Sequence, residues 1–511
     1  MGKCIGIDLG TTNAAIAVMD GGRPKILEDE KGYRVLPTVV SAKEDGKFVV
    51  GQAAKSLVLT TPEDTVFEVK RLMGLRFDSA EAKDIRERVP FAIEEAEDGT
   101  CLVGMRDVFY TPQEVAAVIL QVAAQIAERN LDEPVDEVVI TVPAYFNHAQ
   151  RSATLEAARL AKLPCERLVN EPTAAAIAYG YRQPDEATVV VFDLGGGTFD
   201  VSILRVAEGL YEILATTGDS FLGGTDFDQK LVMHMVDHFE QSHAGTGVRG
   251  DKVAMQRLRA AAEKAKCELS TVEKTMITVP RLTPTADFEM ALSRAGFETL
   301  VSELVGRTLS VTKSALASAG LEPSDIDDVV LVGGQTRMPT IREQLTKMFG
   351  KAPNRGVHPD ECVAIGASIH ADMLSGPAEN QAVLLDVTPF DLGIDVAGGR
   401  FEPIIRRNSQ VPLSQARVFS TNKDMQERVR LVVRQGNEAL ATDNEFLGEF
   451  SMTGLTPAPR METKVEVAFR IDTNGMLHVV ATEVGTGEQK KIVVRNYAEV
   501  AASEGQSPDV Q

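Results

Sequence analysis

The stretch Ile5–Thr12 (IGIDLGTT) decides the fold, because Val189–Thr198 (VVVFDLGGGT) repeats its design later in the chain. Each stretch begins as an apolar strand, reaches an aspartate and then turns through glycine and threonine. Apolar residues resume after the turns, at Ala14–Val18 and Phe199–Leu204. A second strand after so short a turn predicts a β-hairpin rather than a strand that enters a helix. Two copies of one design predict two related lobes that face one another.

Strands and helices alternate around the two hairpins, which is the pattern of an α/β fold. Apolar residues recur with helical spacing in Glu114–Arg129, in Gln150–Lys162 and in the polar-faced segment Asp251–Leu269. Val329–Val332 is apolar throughout and predicts a buried strand that runs into two glycines.

The pattern changes near residue 376. The segment Gly376–Gln381 (GPAENQ) has the composition of a linker, and the apolar run Val383–Asp386 follows it. Beyond this point polar and apolar residues alternate, as in Arg428–Leu431 and Lys464–Ile471. A period of two predicts half-buried antiparallel strands, and therefore a separate small β-sandwich.

The composition indicates a soluble cytoplasmic protein. The 511 residues carry a formal net charge of -21, whereas a nucleic-acid-binding surface needs clustered Lys and Arg. No run of about eighteen apolar residues is present, so we predict no membrane span. The cysteines are odd in number, scattered and without a CxxC pair, which favours a reducing cytosol over disulfides or a zinc site. They are Cys4, Cys101, Cys165, Cys267 and Cys362.

The two loops have the chemistry of a phosphate-binding site. Glycine lets backbone N–H groups approach a phosphate closely, threonine adds hydroxyl donors, and aspartate suits Mg²⁺, which is held largely through its waters. A pair of tight turns capped by aspartate is the alternative, and two matched loops make it less favoured. The residues concerned are Asp8, Gly10, Thr11, Thr12, Asp193, Gly195, Gly196, Gly197, Thr198 and Asp200.

The loops match neither of the common nucleotide-binding patterns. The chain has no GxxxxGK[ST] sequence, and its glycine spacing differs from GxGxxG. Paired DxGTT and DxGGGT hairpins point instead to the ATPase class that actin, sugar kinases and certain chaperones share.

Longer motifs narrow this class, and on them the chain resembles the seventy-kilodalton heat-shock chaperone family, DnaK type. The resemblance covers about residues 3–495, whereas actin and sugar kinases share only the hairpins. The matching motifs are Ile5–Asn13 (IGIDLGTTN), Val66–Leu72 (VFEVKRL), Val139–Arg151 (VITVPAYFNHAQR), Val169–Tyr179 (VNEPTAAAIAY), Asp193–Val201 (DLGGGTFDV), Ala262–Leu269 (AEKAKCEL), Val332–Pro339 (VGGQTRMP) and His358–Gly366 (HPDECVAIG).

The resemblance implies a role for each matching residue of an ATP site. Asp8, Asp193 and Asp200 would surround Mg²⁺ and bound monovalent cations such as K⁺. Catalysis would fall to Lys70 beside the γ-phosphate, Glu171 positioning the attacking water, Asp193 and Thr198. The phosphates of ATP or ADP would be wrapped by Gly10, Thr11, Thr12, Asn13, Gly195, Gly196, Gly197 and Thr198. The adenosine pocket would be formed by Glu263, Lys266, Ser270, Gly333, Gly334, Arg337 and Asp360.

Two of these residues have a simpler interpretation when the resemblance is set aside. Lys70 and Arg71 form a basic pair on what the pattern predicts as an amphipathic helix, and Glu171-Pro172 is a common helix start.

The resemblance also implies a relay and a peptide groove. The relay positions are Pro143, Arg151, Arg167, Val383, Leu384, Leu385 and Asp386; from pattern alone Pro143 is a strand terminator, Arg151 a solvated helix residue and Val383–Asp386 the start of a buried strand. The groove positions are Ile394, Val396, Ala397, Phe419, Asn422, Val429 and Leu431; from pattern alone the apolar ones are core residues.

The implied partners are unfolded polypeptide segments, a J-domain co-chaperone and a nucleotide-exchange factor, with no nucleic acid and no membrane, and the protein is expected to be a monomer. The expected function is therefore that of an ATP-dependent molecular chaperone. The alternative is an actin-like nucleotide-binding protein or a small-molecule kinase of the same superfamily, or a nucleotide sensor without useful hydrolysis.

The expected organisation is a two-lobed actin-like (ribonuclease-H-like duplicated) ATPase domain at 1–376, a linker at 377–386, a β-sandwich peptide-binding domain at 387–495 and a disordered tail at 496–511.

Several features depart from the family pattern. The helical lid that usually follows the sandwich is absent from this sequence, so peptide release is expected to be fast. Val279–Ser293 is shorter than the corresponding exposed loop, which leaves dependence on an exchange factor open. Asn422 is polar where the groove is usually not. Cys267 lies inside the adenosine motif, either as a small apolar filler or as a thiol whose modification weakens nucleotide binding.

Overall fold

The computed structural model describes residues 3–165, 167–181, 186–207, 209–243, 247–354, 356, 358–375, 383–486 and 489–493. The predicted linker residues 376–382 and the predicted tail 496–511 lie outside these ranges. The chain divides into two compact units, the first formed by residues 1–145 and 154–384 and the second by residues 146–153 and 385–511. The second boundary therefore falls after Leu384, inside the segment predicted as the linker.

The strands of the first unit are β1 (Lys3–Leu9), β2 (Asn13–Asp20), β3 (Arg23–Ile26), β4 (Leu36–Pro37), β5 (Val40–Ala42), β6 (Phe48–Val50), β7 (Thr65–Val66), β8 (Ile93–Glu95), β9 (Cys101–Met105), β10 (Val108–Tyr110), β11 (Val135–Val142), β12 (Arg167–Asn170), β13 (Ala187–Leu194), β14 (Phe199–Ala207), β15 (Leu210–Asp219), β16 (Lys274–Thr283), β17 (Ala286–Ser293) and β18 (Asp328–Val332).

The α-helices of the described ranges are α1 (Gln52–Leu57), α2 (Ala80–Arg88), α3 (Pro112–Leu131), α4 (His148–Leu160), α5 (Glu171–Gly180), α6 (Gly224–Ser242), α7 (Lys252–Leu269), α8 (Arg294–Leu300), α9 (Ser302–Ala319), α10 (Pro339–Phe349) and α11 (Cys362–Ser375). Among the described residues, no helix combines the length and the apolar character needed to cross a membrane.

Two sheets of the first unit have matched topologies. In one, the strand order is β12-β11-β1-β2-β3, with β4 also paired to β2; in the other, the order includes β18-β13-β14-β15. β1 pairs antiparallel with β2 and parallel with β11, and β13 pairs antiparallel with β14 and parallel with β18. The two predicted hairpins are thus confirmed, and each sits next to a parallel strand in its sheet.

The predicted helices form with local signals at their ends. α3 begins with a capping box, in which the Thr111 hydroxyl accepts from the Glu114 N–H and the Glu114 carboxylate accepts from the Thr111 N–H. In α7 the carboxylate of Asp251 accepts from the Ala254 N–H at 3.0 Å. Asp251 is therefore the N-cap of the predicted helix rather than its first residue.

The core of the first unit is continuous from sheet to helices. A buried cluster joins Phe192 and Phe199 of the second hairpin to side chains of α6, α7 and α9. The hairpin that carries the second loop is therefore fixed by apolar packing along its length, and the turn at its end is the part that can face a ligand.

The second unit contains the predicted antiparallel strands. The strand β19 (Val383–Val387) spans the boundary after Leu384, and the strands that follow it are β20 (Leu392–Val396), β21 (Arg400–Ile405), β22 (Gln410–Val411), β23 (Leu413–Ser420), β24 (Arg428–Gln435), β25 (Glu445–Thr453), β26 (Lys464–Ile471), β27 (Leu477–Glu483) and β28 (Gln489–Val493). Two four-stranded sheets have the orders β21-β20-β24-β25 and β23-β26-β27-β28. One buried cluster takes side chains from both sheets, with Ile394 and Leu431 from the first and Val467 and Phe469 from the second.

Candidate functional site

The two hairpin turns lie against one another in the first unit. A Cβ atom on Gly196 would overlap the hydroxyl of Thr12, and one on Gly197 would lie 2.5 Å from the Thr11 Cγ2. A backbone hydrogen bond fixes the shape of the second turn: the Gly195 N–H donates to the Thr198 carbonyl at 3.1 Å. These close approaches require glycine and leave a cradle of backbone at the junction of the loops.

A cavity of about 220 Å³ opens between the loops. It is lined by residues of both hairpins together with three charged side chains from elsewhere, Lys70, Glu171 and Asp360. The lining comprises Asp8, Gly10, Thr11, Thr12, Asn13, Ala14, Ala15, Val35, Lys70, Glu171, Asp193, Gly195, Gly196, Thr198, Val332, Gly333, Gly334, Pro359, Asp360 and Val363.

Lys70 and Glu171 form a buried ion pair at this cavity. The Lys70 Nζ donates to the Glu171 Oε1 at 2.6 Å, and the two side chains are only 5% and 8% exposed. Glu171 does begin α5, as its Glu-Pro sequence predicts, but its carboxylate points to Lys70. The helix expected for Lys70 is wrong, because Lys70 and Arg71 are buried in a short 3₁₀ turn, Val69–Arg71.

Arg71 fixes the second loop. Its guanidinium donates to the Gly197 carbonyl at 2.7 and 3.1 Å and forms an ion pair with Asp226 at 2.5 Å. Asp226 also pairs with Arg88 at 2.8 Å. A buried cation satisfied in this way holds the glycine turn in one place, which removes part of the ordering cost of binding a ligand.

Three aspartates surround the inner end of the hairpins. Asp193 and Asp200 face each other across β13 and β14. The Thr141 hydroxyl donates to the Asp8 Oδ1 at 3.2 Å, and the Tyr145 N–H donates to the Asp200 Oδ1 at 3.1 Å. Hydrogen bonds to backbone and hydroxyl groups orient these carboxylates.

Negative charge is in excess around these aspartates. Burial, followed by the charge of Glu171, raises the pKa of Asp8 to about 7. The same two causes raise the pKa of Asp193, and the charges of Asp200 and Asp8 add to the shift. Within the described ranges no three His, Cys, Asp or Glu side chains form a group that could ligate an ion directly.

A larger cavity of about 520 Å³ shares part of its wall with the first. The shared residues are Thr11, Thr12, Asn13, Gly195, Gly196, Gly334 and Asp360. Its further lining includes Lys266, whose Nζ donates to the Asp228 Oδ2 at 2.8 Å and to the Gly224 carbonyl at 2.9 Å. Burial raises the pKa of Asp228 to about 6 even though Lys266 lowers it.

Charged pairs frame the larger cavity. The Lys55 Nζ lies 3.0 Å from the Glu263 Oε1, and Arg337 forms an ion pair with Asp360. Gly333, which lines the smaller cavity, has φ +80, and a Cβ there would overlap the Leu194 carbonyl. A long ligand can therefore lie in both cavities at once, with a polar ring system in the larger and an anionic tail in the smaller.

Some residues predicted for the adenosine pocket and the phosphate loops lie elsewhere. Ser270 is not among the lining residues of either cavity, and its hydroxyl donates to the Lys266 carbonyl at 3.3 Å, so it supports the Lys266 turn from behind. Gly333 lines the smaller cavity only. Gly197 and Asp200 line neither cavity, although both belong to the second hairpin.

Cys267 is not the buried filler that its small apolar character suggests. The residue is exposed and lines the larger cavity next to Lys266. Desolvation by the atoms around the sulfur raises the pKa of its thiol despite the charge of Lys266. The thiol is therefore accessible, but it is mostly protonated at neutral pH.

Four residues with a part in this site had no strong signal in the sequence. They are Arg71, Thr141, Asp226 and Asp228. Arg71, Thr141 and Asp228 contact predicted site residues, and Asp226 holds Arg71. Arg71 stands next to Lys70 and Asp228 follows the paired Gly223-Gly224, but neither position reveals its partner, since the partners are distant in sequence.

The predicted relay residues lie in or next to several different elements. Pro143 follows β11, Arg167 begins β12, and Leu384, Leu385 and Asp386 belong to β19. Arg151 in α4 is 7% exposed, and its Nε donates to the Phe146 carbonyl at 3.1 Å, so it is not a solvated helix residue. The four residues from Val383 to Asp386 form a strand, as their apolar pattern also allows.

The predicted groove residues differ in their burial. Ile394 and Leu431 are 2% and 4% exposed and belong to the core of the second unit. Val396, Phe419 and Val429 are half-buried against that core, and Ala397 and Asn422 are exposed. The half-buried and exposed members are therefore available to a ligand, whereas the first two support them from beneath.

The site has the chemical groups that bind a polyanion. The orphaned, buried hydroxyl of Thr12 has no hydrogen-bond partner within the described ranges and lies at the wall that the two cavities share. Glycine backbone, a threonine donor and a buried lysine converge there, as phosphoryl groups require. A protein-family model described as "Hsp70 protein" matches residues 4–507 of this chain.

Proposed function

Because this chain belongs to the Hsp70 family, a family of ATP-binding chaperones, we propose that it is an ATP-dependent molecular chaperone that binds and releases extended apolar segments of unfolded proteins. The observation that carries the proposal is the buried Lys70–Glu171 pair at a cavity between two glycine loops. An actin-like filament protein or a small-molecule kinase is not favoured, because the match extends through the second unit. The matched topologies of the two sheets support an actin-like, two-lobed arrangement of the first unit.

In this proposal the residues of the smaller cavity position the reacting groups. Backbone N–H groups of Gly195 and Gly196 and the hydroxyls of Thr12 and Thr198 hold the phosphates. Lys70 lies beside the γ-phosphate and offsets the negative charge that develops there. Phosphoryl transfer asks a protein for positioning and charge stabilisation more than for covalent chemistry.

Glu171 is the residue that orients the attacking water in this scheme. Its carboxylate is held by Lys70 at 2.6 Å and therefore has one orientation in the cavity. Mg²⁺, when bound, supplies positive charge that neutralises phosphate oxygens. Asp8, Asp193 and Asp200 would hold it through water, and K⁺ is a candidate for a neighbouring position.

The adenosine lies in the larger cavity in this proposal. Glu263, Lys266, Gly334 and Asp360 line that cavity and can hydrogen-bond to a ribose or a base. Arg337 is available to pack on the flat face of the base, as guanidinium groups do.

The second unit would bind the peptide in an extended conformation. Strand edges supply backbone hydrogen bonds, and the half-buried Val396, Phe419 and Val429 supply an apolar pocket. A J-domain co-chaperone would act at Arg167 and the β19 segment, and an exchange factor would speed release of ADP. We further propose that the protein works as a monomer in the cytoplasm.

Stimulation of ATP hydrolysis separates this proposal from its rivals. We expect the rate of ADP formation to rise on addition of an unfolded peptide, and to rise further with a J-domain. A folded protein of similar size serves as the control ligand. A kinase would instead respond to a sugar or another small acceptor, and a passive sensor would respond to neither; either result contradicts the proposal.

A further inference from the structure

The larger cavity extends beyond the residues assigned to the adenosine. Its additional lining mixes polar residues with an apolar group that includes Val58, Leu59 and Phe67. Two cations belong to this additional lining: Lys55, which pairs with Glu263, and the half-buried Arg259 of α7. The nucleoside described above makes no use of Arg259.

The partners of Arg259 are all neutral. Its guanidinium donates to the Arg88 carbonyl at 2.9 Å and to the side-chain oxygens of Gln229 and Gln256 at 3.2 and 3.4 Å. Its central carbon lies 5.8 Å from the centre of the Phe67 ring. Over the described part of the chain, no carboxylate oxygen lies within 4.0 Å of its nitrogens.

The nearest carboxylates have cations of their own. Glu68 lies 3.5 Å from Arg71, and Asp228 lies 2.8 Å from Lys266. Burial lowers the pKa of Arg259, and the charges of Glu68 and Asp228 do not offset that effect. Most other arginines with a shifted pKa, such as Arg71, have it raised by a carboxylate partner. Among the residues that the structure describes, Arg259 is thus a desolvated cation without a carboxylate in direct contact.

We propose that Arg259 forms a second anion-binding subsite, next to the phosphate cavity but outside it, for a tetrahedral oxyanion the size of phosphate. A guanidinium presents its donors in a fork that matches the oxygens of such an ion, and the apolar surroundings strengthen the attraction. The proposal rests on the proposed function, because it takes the smaller cavity to hold the phosphates of ATP.

The subsite lies in a cavity that adjoins the phosphate cavity, so phosphate released there is one source of its ligand. The two cavities share Thr11, Thr12, Asn13, Gly195 and Gly196 in their walls. Inorganic phosphate released in the smaller cavity can therefore pass along this shared wall to Arg259. Phosphate from solution carries the same chemistry and would use the same subsite.

Titration with inorganic phosphate tests the subsite while ATP's own phosphate positions are filled. The full chain is saturated with Mg²⁺ and a non-hydrolysable ATP analogue, and phosphate binding is followed by ³¹P NMR or calorimetry. We expect one phosphate to bind, and Arg259→Gln to weaken that binding about tenfold or more, since one charge-assisted hydrogen bond contributes about 1.5–3 kcal/mol. Arg259→Lys, which keeps the charge, should restore part of it.

Arg257→Gln is the matched control, because Arg257 is on the same helix but its side chain donates to the carbonyls of Pro280 and Arg281. Equal phosphate binding by the wild type and Arg259→Gln, or no phosphate binding by the wild type, overturns the subsite. Failure of the analogue itself to bind would count against the proposed function instead. The source follows from single-turnover release: faster release of product phosphate from Arg259→Gln supports product as the ligand, and an unchanged release rate with weakened titration supports phosphate from solution.

Discussion

Individual side chains at the loops are fixed by contacts that cross long stretches of sequence. Lys70 meets Glu171, Arg71 meets Gly197 and Asp226, and Thr141 meets Asp8. Lys70, Arg71 and Glu171 are buried, and a buried charge without its partner is costly. The site is therefore pre-organised, and changes at single residues should separate ligand binding from turnover.

Lys70→Ala is expected to keep ATP binding and to lose most of its turnover, by about 10²–10³-fold, because it removes one positive group aimed at the transferring phosphoryl. Single-turnover hydrolysis measures the chemical step, and nucleotide titration measures binding. The exposed Lys47→Ala is the control, since its charge lies at the surface beside Asp45. Unchanged single-turnover hydrolysis would remove Lys70 from the catalytic group.

Gly196→Ala is expected to weaken nucleotide binding strongly, because its Cβ would overlap the Thr12 hydroxyl and push the loops apart. Gly306→Ala serves as the control, since a Cβ there meets nothing within 4 Å in a helix that tolerates alanine. Binding is measured with a fluorescent nucleotide, and folding by thermal melting. Normal affinity in Gly196→Ala would mean that the loops do not close on the phosphates.

At the scale of elements, the two hairpins depend on local sequence pattern, whereas the helix α11 is defined by its packing. The hairpins follow from short-range periodicity and from the glycine turns. α11 is buried along most of its length and packs on β1, β2, β11 and α5. It carries His370, whose ring is 6% exposed and whose Nδ1 has no partner within the described residues.

His370 is expected to make the first unit acid-sensitive. Burial, with a smaller effect from Arg167, lowers its pKa from 6.5 to about 4. A lowered pKa means that the folded state binds a proton less readily than the unfolded state. His370 therefore lowers the free energy of unfolding very little above pH 6.5. Below that value the unfolded state takes up the proton first, and the free energy of unfolding falls as the pH is lowered towards 4.

Urea unfolding at pH 7 and pH 5 tests this histidine. Between these values the wild type should lose about 2 kcal/mol of unfolding free energy through His370, and His370→Gln should not show that part of the loss. The half-exposed His478→Gln is the control, because His478 pairs with Asp472 at the surface. Identical pH slopes for the wild type and His370→Gln would contradict the assignment.

At the scale of the whole molecule, the main division of the chain falls after Leu384. The first unit contains the two glycine loops, and the second contains the antiparallel sheets. A chaperone needs the two to influence each other, and such coupling requires an element whose state both ligands bias. The strand β19 stands at this division, with Leu384 and Leu385 half-buried.

Leu384→Asp is expected to leave basal ATP hydrolysis and peptide binding in place but to abolish the stimulation of hydrolysis by peptide, because a charge opposes burial of this segment in any docked state. Steady-state ATPase assays with and without peptide measure the ratio. Leu440→Asp, at a residue that is 53% exposed in the second unit, is the control. A normal stimulation ratio in Leu384→Asp would exclude β19 as the coupling element.

The sequence by itself determined the α/β class, the two hairpins, the helices α3, α4 and α7 and the alternating strands of the second unit, because these depend on spacing within a few residues. Motif resemblance added the family, and most of the residues that it implied for the ATP site line one of the two cavities. Only the tertiary structure decided that Lys70 is buried against Glu171, that Ser270 lies outside the cavity lining and Cys267 within it, and that the described partners of Arg259 are neutral. These outcomes depend on which distant segments pack together and exclude water, and local periodicity carries no information about that.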